Sequence, residues 1–205
     1  MENSYLKYYK PQVLIGLVIY LVLTIIWAKD NLGLSLSASS VVSLVLVLNE
    51  KYLWKYKLFS WMFWTDNFTG RYEGELEYNY RDATCNVLTG KLKHVKIISQ
   101  TGGSICIHSF TIRADGTKSS LSVNKGMHVE KTADGKHYDL IYNYLNDGNP
   151  ILGLNTHYGT DIIKFIKNGN SKKLSGRYYT DRLPNQTRGE YIDLKWVSDN
   201  LEHEF

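Results

Sequence analysis

GRYEGELEYNY, residues 70–80, decides how this chain folds. Gly70, Tyr72, Gly74, Leu76, Tyr78 and Tyr80 alternate with Arg71, Glu73, Glu75, Glu77 and Asn79. Successive side chains of a strand point to opposite faces, so the segment reads as a strand with one face turned to a core and the other to water. The same period-two reading extends over residues 91–100, 104–113, 121–131, 137–146, 156–166, 174–182 and 188–197, giving eight strands.

The links between these strands are short and carry turn residues. They are Thr101-Gly102-Gly103, Ala114-Asp115-Gly116-Thr117, Ala133-Asp134-Gly135, Asn168-Gly169-Asn170 and Leu183-Pro184-Asn185. Hairpin after hairpin implies antiparallel neighbours. Eight strands with one apolar face each can close into an up-and-down barrel, which removes the sheet edges and leaves room for packed side chains or one small ligand. A two-sheet sandwich is the alternative arrangement. The loop at residues 145–155 is among the longest connections and is suited to form a rim.

Upstream of the strands the composition changes. Residues 11–28, PQVLIGLVIYLVLTIIWA, carry no charge, and neither does GLSLSASSVVSLVLVL at residues 33–48. A helix rises about 1.5 Å per residue against a hydrocarbon thickness of about 30 Å, so spans at 11–28 and 32–48 are short but sufficient. They predict a two-helix transmembrane hairpin joined through Lys29, Asp30 and Asn31. The domain reading is therefore residues 1–66 for the hairpin with an interfacial segment at 49–66, and 67–205 for the barrel. Lys7 and Lys10 before the first span, and Lys51, Lys55 and Lys57 after the second, place both termini in the cytoplasm of a multi-pass inner-membrane protein. Gly33 and Ser37, and likewise Ser35, Ser39 and Ser43, recur four apart in the second span and predict a small-residue stripe for helix association.

Charge narrows the partners. Residues 1–64 hold six Lys against three acids, leaving 18 basic and 17 acidic residues in the remainder of a chain whose net charge is +4. A domain so nearly neutral has no basic face for duplex nucleic acid. A small anionic ligand needs only a few placed cations. Cys85 and Cys106 read as free thiols in a reducing compartment. The six histidines form no HExxH motif, and a P-loop, a GxSxG elbow and a Rossmann fingerprint are all missing from the sequence, so an enzyme is not expected, nor a cofactor or metal.

With the apolar faces inward, Leu140, Tyr142, Tyr144 and Asn146 share one strand face. Leu174, Gly176, Tyr178, Thr180 and Arg182 share a second, and Arg188, Glu190, Ile192, Leu194 and Trp196 a third. Arg182 and Arg188 then flank one mouth, where guanidiniums can hold phosphate oxygens and tyrosines can stack on bases.

The two N-terminal spans, GRYEGELEY at 70–78, LIYNYLN at 140–146, LSGRYYTDR at 174–182 and TRGEYIDLKW at 187–196 follow one another in an order that resembles the two-transmembrane, β-strand-rich effectors of bacterial CBASS antiphage systems. The resemblance covers nearly the whole chain and implies a lipocalin-like eight-stranded barrel. It further implies a cyclic dinucleotide ligand made by a cognate nucleotidyltransferase, self-association into a homo-oligomer on binding, and disruption of the lipid bilayer that stops growth. By that resemblance Tyr142, Tyr144, Tyr178, Thr180, Arg182, Thr187 and Arg188 are ligand-binding candidates. Arg182 and Arg188 are assigned to phosphates, Tyr142 and Tyr178 to base stacking, and Thr180 to a hydrogen bond with a base edge or phosphate. The competing function is a membrane-anchored lipid or fatty-acid binder, which would want an apolar barrel interior.

Overall fold

The computed structural model describes residues 6–33, 37–82, 84–182 and 186–205. The chain divides into two units, residues 1–67 with 100–105, and residues 68–99 with 106–205.

In the first unit, α1 (Pro11–Leu32) is the one described helix long and apolar enough to cross a membrane, with a mean hydropathy of 2.2 and no buried residue. The expected two-span hairpin is not what forms. α1 runs on through Lys29, Asp30 and Asn31, the residues read as the turn, and stops where Gly33 adopts a left-handed φ of 68° that a side chain would resist. The second helix, α2 (Ala38–Leu48), has 11 residues and passes into a π-helical turn at Asn49–Leu53. At about 1.5 Å per residue α2 reaches only about 16 Å, half of a hydrocarbon core.

The small-residue stripe is broken by the same boundary. Gly33 ends α1 and Ser37 is the N-cap position of α2, so they do not share a helix face. Ser37 Oγ lies 3.0 Å from Ser39 Oγ. Ser39 and Ser43 remain four apart on α2, and Ser35 lies outside the described residues. The unit is closed by Tyr9, which stacks on Phe63 at 4.3 Å, and by Gly102, whose N–H donates to the Glu50 carbonyl at 2.8 Å.

The second unit is the β-domain. Its strands are β1 (Gly70–Arg81), β2 (Val87–Gln100), β3 (Ile105–Ile112), β4 (Lys118–Asn124), β5 (His128–Lys131), β6 (Tyr138–Asn146), β7 (His157–Asn168), β8 (Ser171–Thr180) and β9 (Thr187–Ser198). Each pairs with the next in sequence except β4 with β5, β1 also pairs with β9, and β4 also pairs with β6, which closes the sheet. β4 and β5 are two pieces of the strand expected at 121–131, interrupted at Lys125, Gly126 and Met127. Ser122 to Asn124 pair with Asn146 to Tyr144, and His128 to Lys131 continue along Ile141 to Tyr138. Across the gap Lys125 N–H still reaches the Asn143 carbonyl at 2.8 Å. The architecture is the eight-stranded antiparallel barrel.

Register stacks the interior in layers. Tyr138, Phe165, Leu174 and Leu194 are cross-strand partners, as are Leu140, Ile163 and Gly176. Phe68 completes the first layer, 4.8 Å from Phe165 and 5.3 Å from Tyr138, in edge-on contacts. Phe68, Leu140, Ile163, Leu174 and Leu194 are fully excluded from solvent, so this end of the barrel is plugged by apolar packing. The next layer is Tyr142, Asp161, Tyr178 and Gly189, and there the interior becomes polar.

One strand changes phase. Tyr191 and Gly189 are buried and Leu194 is buried, while Ile192 and Asp193 between them are exposed. Asp193 has φ 44°, and the pairing of β9 with both β1 and β8 slips at this point, the signature of a β-bulge. The extra residue moves Thr187, Gly189 and Tyr191 to the inner face. Arg188, Glu190 and Ile192, expected inside on a strict alternation, therefore point outward.

Candidate functional site

The polar layer is organised around Lys96, which β2 carries between Val95 and Ile97. Its partner across β1 is Tyr72, an inward residue, so Lys96 is carried to the interior as well. The ammonium donates to Asp161 Oδ2 at 2.8 Å, Ser109 Oγ at 2.8 Å and Tyr142 OH at 3.2 Å. It also lies 4.2 Å above the Tyr191 ring. Tyr191 in turn donates its hydroxyl to Asp161 Oδ1 at 2.8 Å. Three donors meet three acceptors, and both carboxylate oxygens are engaged, as a buried ion pair requires. Burial pulls the Lys96 ammonium below the usual lysine range, while the Asp161 carboxylate acts in the opposite sense. Burial first, and the Asp161 charge second, push the hydroxyls of Tyr142 and Tyr191 well above the usual tyrosine range. Both hydroxyls stay protonated.

His94 is the neighbouring inward residue of β2, two positions before Lys96. One ring nitrogen, Nδ1, lies 3.1 Å from Thr111 Oγ1, while the other, Nε2, is buried with no hydrogen-bond partner among the described residues. Desolvation, and then the Lys96 charge, hold the imidazole well below the usual histidine range, so it is neutral.

Above this layer the barrel opens into a cavity of about 520 Å³. Asp161, His94 and Tyr191 form part of its lining. One wall is hydroxyl-rich: Ser109 and Thr111 from β3 and Ser119, Ser120 and Ser122 from β4. Tyr78 and Tyr80 of β1, Tyr144 of β6 and Tyr178 of β8 supply aromatic rings. Two guanidiniums belong to the lining, Arg113 just after β3 and Arg182 just after β8. Tyr178 is held 5.8 Å from Tyr191, and Tyr144 OH reaches the Tyr179 carbonyl at 3.5 Å. Leu154, from the loop expected as a rim, also contributes to the lining.

Five of the sequence-derived candidates are brought together here: Tyr144, Tyr178, Thr180, Arg182 and Thr187 line the cavity. Thr180 and Thr187 knit β8 to β9, since Thr187 N–H donates to Thr180 Oγ1 at 2.9 Å and that hydroxyl donates to the Thr187 carbonyl at 3.3 Å. Two candidates are not among the lining residues. Tyr142 is 3 % exposed and spends its hydroxyl on Lys96, within the polar layer rather than on the cavity wall. Arg188 is exposed on the outer face, where its guanidinium sits 5.8 Å from the outward Tyr179 ring, because the bulge reverses the phase of β9 before Tyr191.

The profile of the family described as "Cap15, cyclic dinucleotide receptor domain" matches residues 63–195, from just before β1 to within β9. The chain belongs to this family. The Cap15 match takes in the barrel up to its last strand, and with it every residue that lines the cavity. The resemblance to CBASS effectors therefore holds for this chain. No curated protein and no solved structure matches it.

Lys96, Asp161, His94 and Arg113 are the site residues that strand patterning passed over. Lys96 carried a signal: a lone charge inside HVKII, at a position whose period-two partners are His94 and Ile98. Asp161 carried a similar one, beside Ile162 and Ile163.

Proposed function

We propose that this chain is a membrane-anchored receptor whose barrel binds a cyclic dinucleotide in the cavity above the Lys96–Asp161 pair, and that binding turns it into an antiphage effector. The observation that carries the reading is the lining itself. A cavity of about 520 Å³ falls inside the range of roughly 300–1,000 Å³ usual for small-ligand sites, and its lining holds two arginines, five tyrosines and seven serine or threonine hydroxyls. Guanidiniums suit phosphate oxygens, and tyrosine rings suit purine faces.

In this reading Arg182 and Arg113 take the phosphodiesters. Tyr144 and Tyr178 take the bases, Thr180 and Thr187 shape the mouth, and the unpaired His94 Nε2 meets a base edge. The polar floor disfavours the fatty-acid alternative, because an acyl chain would leave Asp161 and the serines facing hydrocarbon.

α1 anchors the chain in the bacterial inner membrane, with the lysines at 51, 55 and 57 beside the barrel on its cytoplasmic side. The ligand comes from a cognate nucleotidyltransferase. Occupancy promotes homo-oligomerisation, aided by Ser39 and Ser43, and the gathered helices damage the bilayer. No catalytic step is assigned to the chain.

Titrating the full chain in detergent with a panel of cyclic dinucleotides, in parallel with a linear dinucleotide and a fatty acid, tests this by calorimetry. Saturable heat with one or more cyclic members, and none with the fatty acid, is the expected result. Heat with the fatty acid alone would replace the receptor reading with the lipid one.

A further inference from the structure

The segment that follows α2 has an apolar side that its own packing does not use. Trp54, Met62 and Phe63 are buried together with Tyr8, Tyr9 and Asn49, and Asn49 Nδ2 donates to Tyr9 OH at 3.3 Å. Left outside are Tyr52, Tyr56, Leu58 and Trp61, each more than half exposed. Lys51, Lys55 and Lys57 are exposed among them. Among the described residues none of these three ammoniums is paired with a carboxylate. Glu50, the one acid between residues 49 and 64, instead accepts from the Thr101 hydroxyl at 3.3 Å.

Consecutive turns hold this side in place. Tyr56 N–H donates to the Leu53 carbonyl at 3.0 Å, Phe59 N–H to the Tyr56 carbonyl at 2.8 Å, and the Trp61 indole N–H to the Leu58 carbonyl at 2.7 Å. The indole thus spends its donor within the segment, and its ring is left to lie in an apolar layer. Lys55 Nζ sits 5.7 Å from the Tyr56 ring. The segment also stands where two apolar helices meet, since α2 runs directly into the π-helical turn that carries Lys51 and Tyr52. Lys10, the residue before α1, donates its N–H to the Met62 carbonyl at 2.8 Å, and Trp64 N–H reaches the Tyr8 carbonyl at 3.0 Å.

We propose that residues 51–61 are a docking surface for anionic phospholipid headgroups. Lys51, Lys55 and Lys57 meet the phosphates, while Tyr52, Tyr56, Leu58 and Trp61 enter the boundary between headgroup and acyl chain. The occupant is set by chemistry: cations without a counter-charge, interleaved with aromatic rings and a leucine, beside the first turn of a helix apolar enough to cross a bilayer. Aromatic rings settle at a membrane interface whatever the headgroup charge, so the rings alone would not discriminate. The three lysines do, because each is worth roughly fivefold in affinity beside a negative leaflet. This surface rests on the reading of α1 as a membrane anchor and not on what the barrel binds.

Trp61 is a built-in reporter. The full chain is reconstituted in phosphatidylcholine vesicles carrying brominated phosphatidylglycerol or, in a second set, brominated phosphatidylcholine, and tryptophan quenching is followed. Each preparation is read against its Trp61→Phe counterpart, which isolates one of the five tryptophans, and flotation of the vesicles reports anchoring. Brominated phosphatidylglycerol should quench Trp61 at a mole fraction roughly tenfold lower than brominated phosphatidylcholine. The triple variant K51Q/K55Q/K57Q should float as the parent does and bring the two lipids together. Equal quenching in the parent, or a preference that survives the triple replacement, overturns the headgroup assignment. A Trp61 that neither lipid quenches, in a chain that floats, overturns the surface itself and turns it toward protein. A chain that fails to float overturns the anchor and the docking surface with it.

Discussion

Lys96 Nζ and Asp161 Oδ2 meet at 2.8 Å in the middle of the barrel, their side chains 0 % and 2 % exposed. This pair separates the apolar plug from the cavity and sets the polarity of the floor. Removing one partner strands a charge where water cannot reach it, which costs about 3–5 kcal/mol. Lys96→Met and Asp161→Leu should each lower the melting temperature of the full chain sharply, and the double replacement should recover most of the loss. Single variants that melt like the parent would show that the pair is not buried as described.

Gly176 tests the close approach of β8 to β7. A Cβ built there lies 2.1 Å from the Ile162 carbonyl oxygen, which is backbone and cannot move aside cheaply. Gly176→Ala should therefore destabilise the barrel by about 1–3 kcal/mol, read from denaturant unfolding. An unchanged midpoint would mean that the two strands are further apart.

His94 gives the fold an acid sensitivity of definite sign. Its folded-state affinity for protons is depressed by burial and by Lys96, so below about pH 6.5 an unfolded chain takes up a proton that the folded one does not. Stability present above that pH is lost as pH falls, by about 1.4 kcal/mol per unit for one such group. His108, depressed in the same direction, adds to the trend. His94→Gln should flatten stability between pH 6.5 and 5, and a profile as steep as the parent's would remove His94 as a source.

The barrel was legible because most of its strands keep a period of two between clear turn residues, from Tyr72 through Thr180. The broken strand at Lys125 to Met127 kept an apolar pattern on both sides, so it read as continuous. Helix ends were less legible: Lys29 to Asn31 look like a turn by charge, yet a helix tolerates polar residues near its end, and only Gly33 forces a stop. Arg188 was misplaced for a local reason, since nothing in the letters Tyr191-Ile192-Asp193-Leu194 announces a bulge. Lys96 and Asp161 stand 65 residues apart in the sequence. Their pairing depends on closure, which no single strand encodes.

The placement of the two arginines tests the central claim most directly. Arg182 lines the cavity and Arg188 sits outside it, although both were candidates for the same phosphates. Calorimetric titration of the parent, Arg182→Ala and Arg188→Ala with the preferred cyclic dinucleotide should show affinity falling roughly tenfold or more for Arg182→Ala and unchanged for Arg188→Ala, with all three melting alike. Equal affinities for all three, or a loss confined to Arg188→Ala, would contradict a ligand held inside the barrel.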